Sequence, residues 1–272
     1  MTIIPLCRED PLTGLVHDLF NANIVRIPDA RVVPLTVLIH HHKRTYFRGS
    51  LLPMLEDARP LGLPIEESLL TDISGRRSRK VNLDLGLHIL RGFLRGFGLP
   101  YADLEAGFTG AAHLTFAFPE ARRRAVDPNA LGWALTERRI DRQNPAASIL
   151  FNESGYELLL IDSILISRQI SIVLSSARGR RLNVDMSVLR ETMTELGGSV
   201  GANSDSDLEL TLQSQAELTF AFTCVRVIFS PEGDIIALPP DPQQRTLSLG
   251  EPQPHVVLSQ GPGLLIWDQT LP

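Results

Sequence analysis

Long stretches in which apolar and polar residues alternate constrain the fold of this 272-residue chain more than any other feature of its sequence. Two of them end in closely similar sequences, DLEAGFTGAAHLTFAF at residues 103–118 and DLELTLQSQAELTFAF at residues 207–222. A shorter alternating stretch and a helix-like segment precede each of them, at residues 81–97 and 164–196. Because a two-residue period is typical of a β-strand, the sequence predicts one strand–helix–strand unit that occurs twice.

Local signals predict the elements around these units. Residues 127–140 have the pattern of a helix, with Asp127 as its N-cap and Pro128 in its first turn. Residues 53–74, which include three prolines, are predicted to form loop and a short helix. Extended segments are predicted at residues 24–27, 32–39 and 45–51.

The length of the alternating stretches leaves two interpretations open. The mean strand of a globular protein has about 5–6 residues, and these stretches are much longer. They could build a long, twisted antiparallel sheet with one face on a core and the other in water. They could also cross a membrane, because a membrane-spanning strand needs about 9–11 residues with an apolar lipid face and a polar lumen face.

The occurrence of four such strands in two matched pairs favours the membrane interpretation. Four strands cannot close a barrel wide enough for a pore, and an open sheet edge in lipid leaves backbone groups unpaired at a cost of several kcal/mol each. The sequence therefore predicts a ring of many chains, each of which contributes two hairpins. The residues predicted to face the membrane are Leu104, Phe108, Leu114, Phe116, Ile164, Ile166, Ile170, Ile172, Leu210, Leu212, Leu218 and Phe220.

Composition excludes several classes of function. The net charge of −5 argues against a general nucleic-acid binder, which needs a dominant basic field. Two cysteines, Cys7 and Cys224, indicate a reducing compartment, and we expect Cys224 to lie in the core. The chain has no nucleophile elbow, phosphate loop or dinucleotide fingerprint, so no enzymatic activity and no cofactor are predicted. The three histidines at residues 40–42 predict no metal site, because neighbouring residues of a strand point in opposite directions.

The end of the chain has a different character. Residues 239–254 contain five prolines and few apolar residues, which is typical of an exposed linker. Residues 255–272 are apolar again but too few to fold alone, so they are expected to dock on residues 1–238. Trp267 is the candidate anchor, since aromatic anchors carry much of the energy of interfaces, although it could also belong to an ordinary final strand. The other expected contacts are Leu264, Leu265 and Ile266.

Basic clusters recur near the predicted strand ends. They lie at residues 40–44, 75–80, 122–124 and 178–181. Attraction to anionic headgroups is worth about 1 kcal/mol per Lys or Arg near a membrane surface. The same clusters could equally form a solvated hairpin rim.

An ordered set of segments resembles the bacterial gasdermins. It comprises a cysteine and a helix within the first residues, NIVRIPDARVVPLTVL at residues 23–38, KVNLDLGLHILRGFLRGFG at residues 80–98, and the short apolar tail. The resemblance covers essentially the whole chain and implies an α+β fold, with a twisted central antiparallel sheet, surrounding helices and a short C-terminal inhibitory peptide. It also implies that Cys7 can be palmitoylated, although a lone cysteine is usually just a small apolar residue.

The resemblance further implies a mechanism. A protease, often encoded nearby and often caspase-like, cuts the linker of a cytoplasmic, monomeric protein, and the released body oligomerises in the inner membrane as a pore. The pore kills the cell and protects the population from phage. Arg245, Leu247 and Leu249 are the candidate residues before the cut. The alternative is a soluble β-rich binding or assembly protein whose long strands form only a scaffold.

Overall fold

The computed structural model describes residues 22–41, 44–70, 81–82, 90, 111–152, 155–176, 199–202, 207–240, 246–247 and 257–259. The first seven strands are β1 (Asn23–Asp29), β2 (Thr36–His41), β3 (Arg44–Ser50), β4 (Ile65–Leu69), β5 (Val81–Asn82), β6 (Ala111–Ala117) and β7 (Arg122–Val126). Helices α1 (Pro128–Leu135) and α2 (Ile149–Asn152) follow. The remaining strands are β8 (Tyr156–Ser176), β9 (Ser199–Ala202), β10 (Asp207–Phe229), β11 (Ile235–Ala237), β12 (Thr246–Leu247) and β13 (Val257–Ser259).

Two very long strands form the spine of the sheet. β8 has 21 residues and β10 has 23, and they pair antiparallel from Ser175 and Asp207 at one end to Leu158 and Val227 at the other. The sequence predicted long strands here, and both strands extend beyond the predicted alternating stretches, β8 towards Tyr156 and β10 to Phe229. Their length far exceeds the mean of about 5–6 residues because each strand has partners along its other edge as well.

Shorter strands line the two outer edges of this spine. β2, β7 and β6 pair in turn with β8, while β9, β1 and β11 pair with β10. β4 then pairs with β7, β5 with β6, and β3 with β2. Within the described residues these pairings are antiparallel, apart from that of β1 with β12. The result is one curled antiparallel sheet, as predicted.

The part of the spine that contains Leu158–Ile166 of β8, which we call its lower part, is buried on both faces. One face packs Val37, Leu160 and Val227 against Leu131 and Leu135 of α1. The other face packs a second cluster of buried residues, which includes Val25, Val32, Leu38, Leu159, Ile161, Phe222 and Cys224. Cys224 therefore lies in the core, as expected from its place on the alternating stretch. Two-sided burial explains why β8 is nearly continuous in apolar residues between Leu158 and Ile166.

Helix α1 confirms the helix predicted at residues 127–140, but it is shorter than predicted. The side chain of Asp127 accepts a hydrogen bond from the backbone N–H of Ala130 at 2.7 Å, and Pro128 opens the helix. The helix ends at Leu135 instead of residue 140, because Thr136 adopts an extended conformation. The other helices expected around the sheet lie outside the described residues. No helix within the described ranges is long and apolar enough to cross a membrane.

The prediction for residues 53–74 was wrong in part. A 3-10 helix does form at Leu52–Met54, but residues 65–69 are the strand β4. All five residues of β4 are exposed, and the strand is held by antiparallel pairing with β7. A partner about sixty residues away in the chain decides this element, since its own sequence has little apolar content.

Candidate functional site

Most of the residues predicted to face a membrane form a buried stripe on one face of the spine, whereas Leu218 pairs with Ser167 of the opposite face. Nine of them are buried, with at most 6% of the residue surface exposed: Leu114, Phe116, Ile164, Ile166, Ile170, Ile172, Leu210, Leu218 and Phe220. Leu212 lies in β10 opposite Ile170, while Leu104 and Phe108 lie outside the described residues. In this structure the stripe is packed within the protein, and its membrane role stays a prediction.

Register brings the apolar positions of three strands together. Ile172 of β8 lies between Leu210 of β10 and Phe116 of β6. A little further along, the rings of Phe118 and Phe220 stack with centroids 4.1 Å apart and an interplanar angle of 3°. Alternation with a period of two places these side chains on one face of the sheet, so one apolar stripe crosses β6, β8 and β10.

The polar face of β8 is also buried in this form. Ser163, Ser167, Ser171 and Ser175 expose 1–8% of their surface. Ser163 and Thr223 hydroxyls lie 2.7 Å apart across the two long strands, and those of Ser171 and Thr211 lie 3.0 Å apart. Hydroxyl pairs of this kind satisfy polar groups that water does not reach. The predicted polar lumen face is thus a hydrogen-bonded seam in this structure.

The pairing of β8 with β10 shifts register at three places, and the largest shift, between Gln213 and Leu218, is what we call the bend. In β10, Gln213 pairs with Gln169 and the next pair joins Leu218 to Ser167, so residues 214–217 lie opposite Arg168 alone. On the other edge of β8, β6 ends and β7 begins at the same level, with residues 118–121 between them. The Ser167 hydroxyl lies 3.0 Å from the Pro119 carbonyl oxygen and accepts from the Gln169 N–H at 3.0 Å. Extra residues in one strand bend it and increase its twist.

A cluster of charged side chains crosses the bend. The Glu217 carboxylate lies 2.6 Å from Arg124, 3.5 Å from Arg122 and 3.7 Å from Arg168. A second carboxylate, that of Glu67 in β4, lies 2.7 Å from Arg124 and 3.1 Å from Arg122. The hydrogen bond from Arg124 holds the pKa of Glu67 below its usual value. Two arginines of the predicted basic cluster at residues 122–124 are therefore neutralised by carboxylates in this form.

This cluster was not predicted from the sequence. Glu217 looks there like any polar position of an alternating strand, and Glu67 lies in a segment predicted as loop and helix. Arg124 is separated from Glu67 by 57 residues and from Glu217 by 93. The basic run at residues 122–124 was the single signal that pointed to this place, and its carboxylate partners come only from the folded chain.

The C-terminal segment pairs with two separate edges of the sheet. β12 pairs in parallel with β1, with Thr246 opposite Ile24 and Leu247 opposite Val25. β13 pairs antiparallel with β3, with Leu258 opposite Thr45. These two strands stand at opposite ends of the strand order β12-β1-β10-β8-β2-β3-β13. The segment thus covers both ends of this row of strands.

Several predicted site residues cannot be placed on this framework. Of the three candidate cut residues, Leu247 lies in β12, while Arg245 and Leu249 lie outside the described residues. The candidate anchor residues Leu264, Leu265, Ile266 and Trp267 also lie outside them, as does Cys7. Their roles stay predictions.

The histidines at residues 40 and 41 have ordinary packing roles. His40 is buried, and its Nδ1 lies 2.8 Å from the Thr45 hydroxyl. The ring of His41 stacks on Tyr156 with centroids 3.8 Å apart. No cluster of three potential metal ligands occurs among the residues that the structure describes.

The curled sheet with its two long strands is similar to that of a known class of proteins. The structure of a bacterial gasdermin from Bradyrhizobium tropiciagri matches this fold with a TM-score of 0.61, over 89% of this chain and 98% of that one, at 11% sequence identity. A family model described as Bacterial Gasdermin Family matches residues 25–235. The chain belongs to the bacterial gasdermin family.

Individual relatives are distant in sequence but similar in length. The chain is 24% identical to gasdermin bGSDM of Lysobacter enzymogenes, with 84% of each chain covered. It is 27% identical to gasdermin bGSDM of a Desulfuromonadales bacterium, with 86% of each covered. The expected family resemblance is thereby confirmed.

Proposed function

We propose that this protein is an autoinhibited pore-former that proteolysis activates. Cutting within residues 239–254 releases the C-terminal peptide, and residues 1–238 then oligomerise in the inner membrane as a large pore that kills the cell in defence against phage. The observation that carries this proposal is the continuous apolar stripe across β6, β8 and β10, on strands far longer than a small folded core requires. Membership of the gasdermin family supports it.

The dimensions of the long strands suit a membrane crossing. A spanning strand needs about 9–11 tilted residues, and β8 with 21 residues and β10 with 23 each exceed that length. In the pore the apolar stripe turns towards lipid, and the Ser171–Thr211 seam exchanges its internal hydrogen bonds for water. Both faces of β8 therefore lose their present packing during insertion, so the closed form must be held until it is needed.

The C-terminal segment is the proposed lock. An uncovered sheet edge is a ready template for pairing with another chain, and β12 and β13 cover the edges of β1 and β3. While the segment is tethered, its effective concentration is in the mM range, so docking persists although the paired strands are short. Cutting makes docking bimolecular, and the peptide dissociates. In this proposal Trp267, with Leu264, Leu265 and Ile266, anchors the end of the peptide.

The position of β12 bears on the three candidate cut residues. Proteases bind their substrates in an extended form, and the backbone of Leu247 is paired with β1. All three candidate cuts lie within two residues of Leu247, so each of them requires β12 to detach from β1 first. The activating protease is proposed to be caspase-like and encoded nearby.

Dye release from liposomes of bacterial lipid tests the proposal. Two chains carry an engineered protease site, one at residues 241–245 and one at residues 248–254, so that the first cut removes β12 and β13 and the second removes only β13. Leakage from the cut chains and none from the intact ones is the expected result. Equal leakage after both cuts would assign the lock to β13 and the tail. If neither cut chain leaks while it remains folded and has lost its peptide, a soluble binding or assembly protein is the better description.

Lipid attachment and lipid preference are proposed as aids to insertion. A single acyl chain on Cys7 gives only marginal membrane binding, so it would assist insertion rather than cause it. Mass spectrometry of protein from its native host should show the palmitoyl group, and a free thiol throughout would contradict this role. The basic clusters should make leakage depend on anionic lipid.

A further inference from the structure

The bend of the spine fixes one of two registers that the sequence pattern permits. Below the bend Phe222 pairs with Ile164, and above it Leu210 pairs with Ile172. A single-residue bulge at Phe220 separates the pairing of Phe222 with Ile164 from the pairs next to the bend, Leu218 with Ser167 and Thr219 with Ile166. If both irregularities were removed and the pairing of Phe222 with Ile164 continued upward, Leu212 would pair with Leu174 instead of Ile170. That shift is even, so apolar residues would still meet apolar residues on the same face. Since alternation specifies a face and leaves even shifts open, something other than hydrophobic pattern must hold the bent register.

Glu217 is placed to do this. It is the last of the four β10 residues that lie opposite Arg168, and its side chain is only 17% exposed. Its carboxylate contacts Arg122 and Arg124, which belong to β7 on the far side of β8, and it also approaches Arg168 of β8 itself. One carboxylate thus ties together three adjacent strands at the bend. Charge-assisted hydrogen bonds such as the 2.6 Å contact with Arg124 are among the stronger ones.

A continuous register is incompatible with these contacts. Continuing the pairing of Phe222 with Ile164 would place Glu217 opposite Gln169, on the face of the serine seam. Arg122 and Arg124 pair with Ile166 and Ile164 and therefore share the opposite, apolar face. The ion pairs of Glu217 therefore cannot form in a β8–β10 pair from which both the bend and the bulge at Phe220 have been removed.

We propose that Glu217 is a latch: its contacts with Arg122, Arg124 and Arg168 hold the bent register, and they must break before β8 and β10 become one continuous hairpin. The latch itself is a property of the closed form. Its role as a step in opening rests on the proposed pore-forming function. Removal of the C-terminal segment frees the sheet edges, and release of the latch then allows the spine to straighten.

The first test measures the closed form alone. Hydrogen exchange is followed by mass spectrometry in the intact chain, in Glu217→Gln and in the matched control Asp234→Asn, which removes an exposed carboxylate–arginine pair with Arg139 away from the bend. Glu217→Gln should speed exchange of residues 208–213 and 169–175 by about tenfold, which corresponds to about 1.4 kcal/mol. Asp234→Asn should leave these residues unchanged. Salt at about 1 M shortens the Debye length to about 3 Å, so exchange in the wild-type chain should speed up towards the rate of Glu217→Gln.

A second variant separates loss of the latch from loss of folding. Arg124→Gln removes the closest partner of Glu217 and should also speed exchange at residues 208–213. The double variant that combines Arg124→Gln with Glu217→Gln should speed exchange by less than the product of the two single-variant factors, because the residues act as one unit. Fully multiplicative effects, or unchanged exchange in Glu217→Gln, would overturn the latch whatever the protein does in membranes.

The third measurement addresses opening. After an engineered cut, Glu217→Gln should leak dye about tenfold faster than the cut wild-type chain, since about 1.4 kcal/mol again corresponds to a factor of about ten. Cut Asp234→Asn should leak at the wild-type rate. Faster exchange without faster leakage would overturn the role of the latch in opening. If exchange is faster but no cut protein leaks, the latch stands and the pore-forming function fails.

Discussion

At the residue scale, Gly233 has the least room for a side chain among the glycines that the structure describes. Its φ is +98°, and a Cβ there would lie 2.5 Å from the Ile140 carbonyl oxygen. Gly233→Ala should lower the free energy of unfolding by about 2–4 kcal/mol through strain and collision. Gly49→Ala is the matched control, because φ is +86° and a Cβ would meet no heavy atom within 4 Å, so about 1–2 kcal/mol is expected. Equal losses in urea unfolding would show that the contact with Ile140 is unimportant.

A second prediction at this scale concerns acid. The side-chain hydrogen bond from Arg59 lowers the pKa of Asp57 to about 2, and its backbone N–H and Arg138 add to the effect. A depressed folded pKa contributes stability above the unfolded value of about 3.9 that is lost as pH falls towards about 2. The melting temperature of Asp57→Asn should therefore lie below wild type at pH about 6 and meet it near pH about 2. A constant difference would contradict the role of this carboxylate.

At the scale of elements, the polar seam between β8 and β10 makes a prediction about paired hydroxyls. The Ser171 and Thr211 hydroxyls lie 3.0 Å apart, and Ser171 is 5% exposed. Thr211→Val should cost about 1–3 kcal/mol, because it leaves the Ser171 hydroxyl buried without this partner. The double variant Ser171→Ala with Thr211→Val should cost less than Thr211→Val alone. Chemical denaturation of the four chains measures both effects, and additive losses would mean that the two hydroxyls are independent.

At the scale of the whole molecule, the pairing of β13 with β3 predicts activation without a protease. Leu258→Pro removes a backbone N–H and fixes φ in the middle of β13, which a paired strand tolerates poorly. The uncut variant should leak dye at a rate that approaches that of the cut chain, whereas Leu258→Val should remain closed. A closed Leu258→Pro chain that keeps its fold would show that β13 does not contribute to the lock. Replacing Trp267 with Ala gives the corresponding test of the proposed anchor.

The sequence alone determined the elements whose signals are local. Alternation over residues 208–222 specified a long strand, although the register change at the bend places Leu218 opposite Ser167. Asp127 with Pro128 specified the start of α1. These predictions succeeded because a period of two and a capping side chain act within a few residues of the chain. The burial of the apolar stripe and the hydrogen-bonded seam opposite it were not visible, since a polar face of a strand can meet water or another polar strand.

The register of the long strands, the bend, and the pairing of the sheet edges were decided only by the tertiary structure. Residues 65–69 form the strand β4 because β7 pairs with them. The bend exists because four residues of β10 lie opposite Arg168 alone. The ion pairs of Glu217 and the covering of β1 and β3 by the C-terminal segment join residues that are far apart in the chain. The physical reason is that a two-residue period fixes the face of each side chain but is unchanged by an even shift of register. Contacts that exist only once the strands have come together therefore determine which register forms.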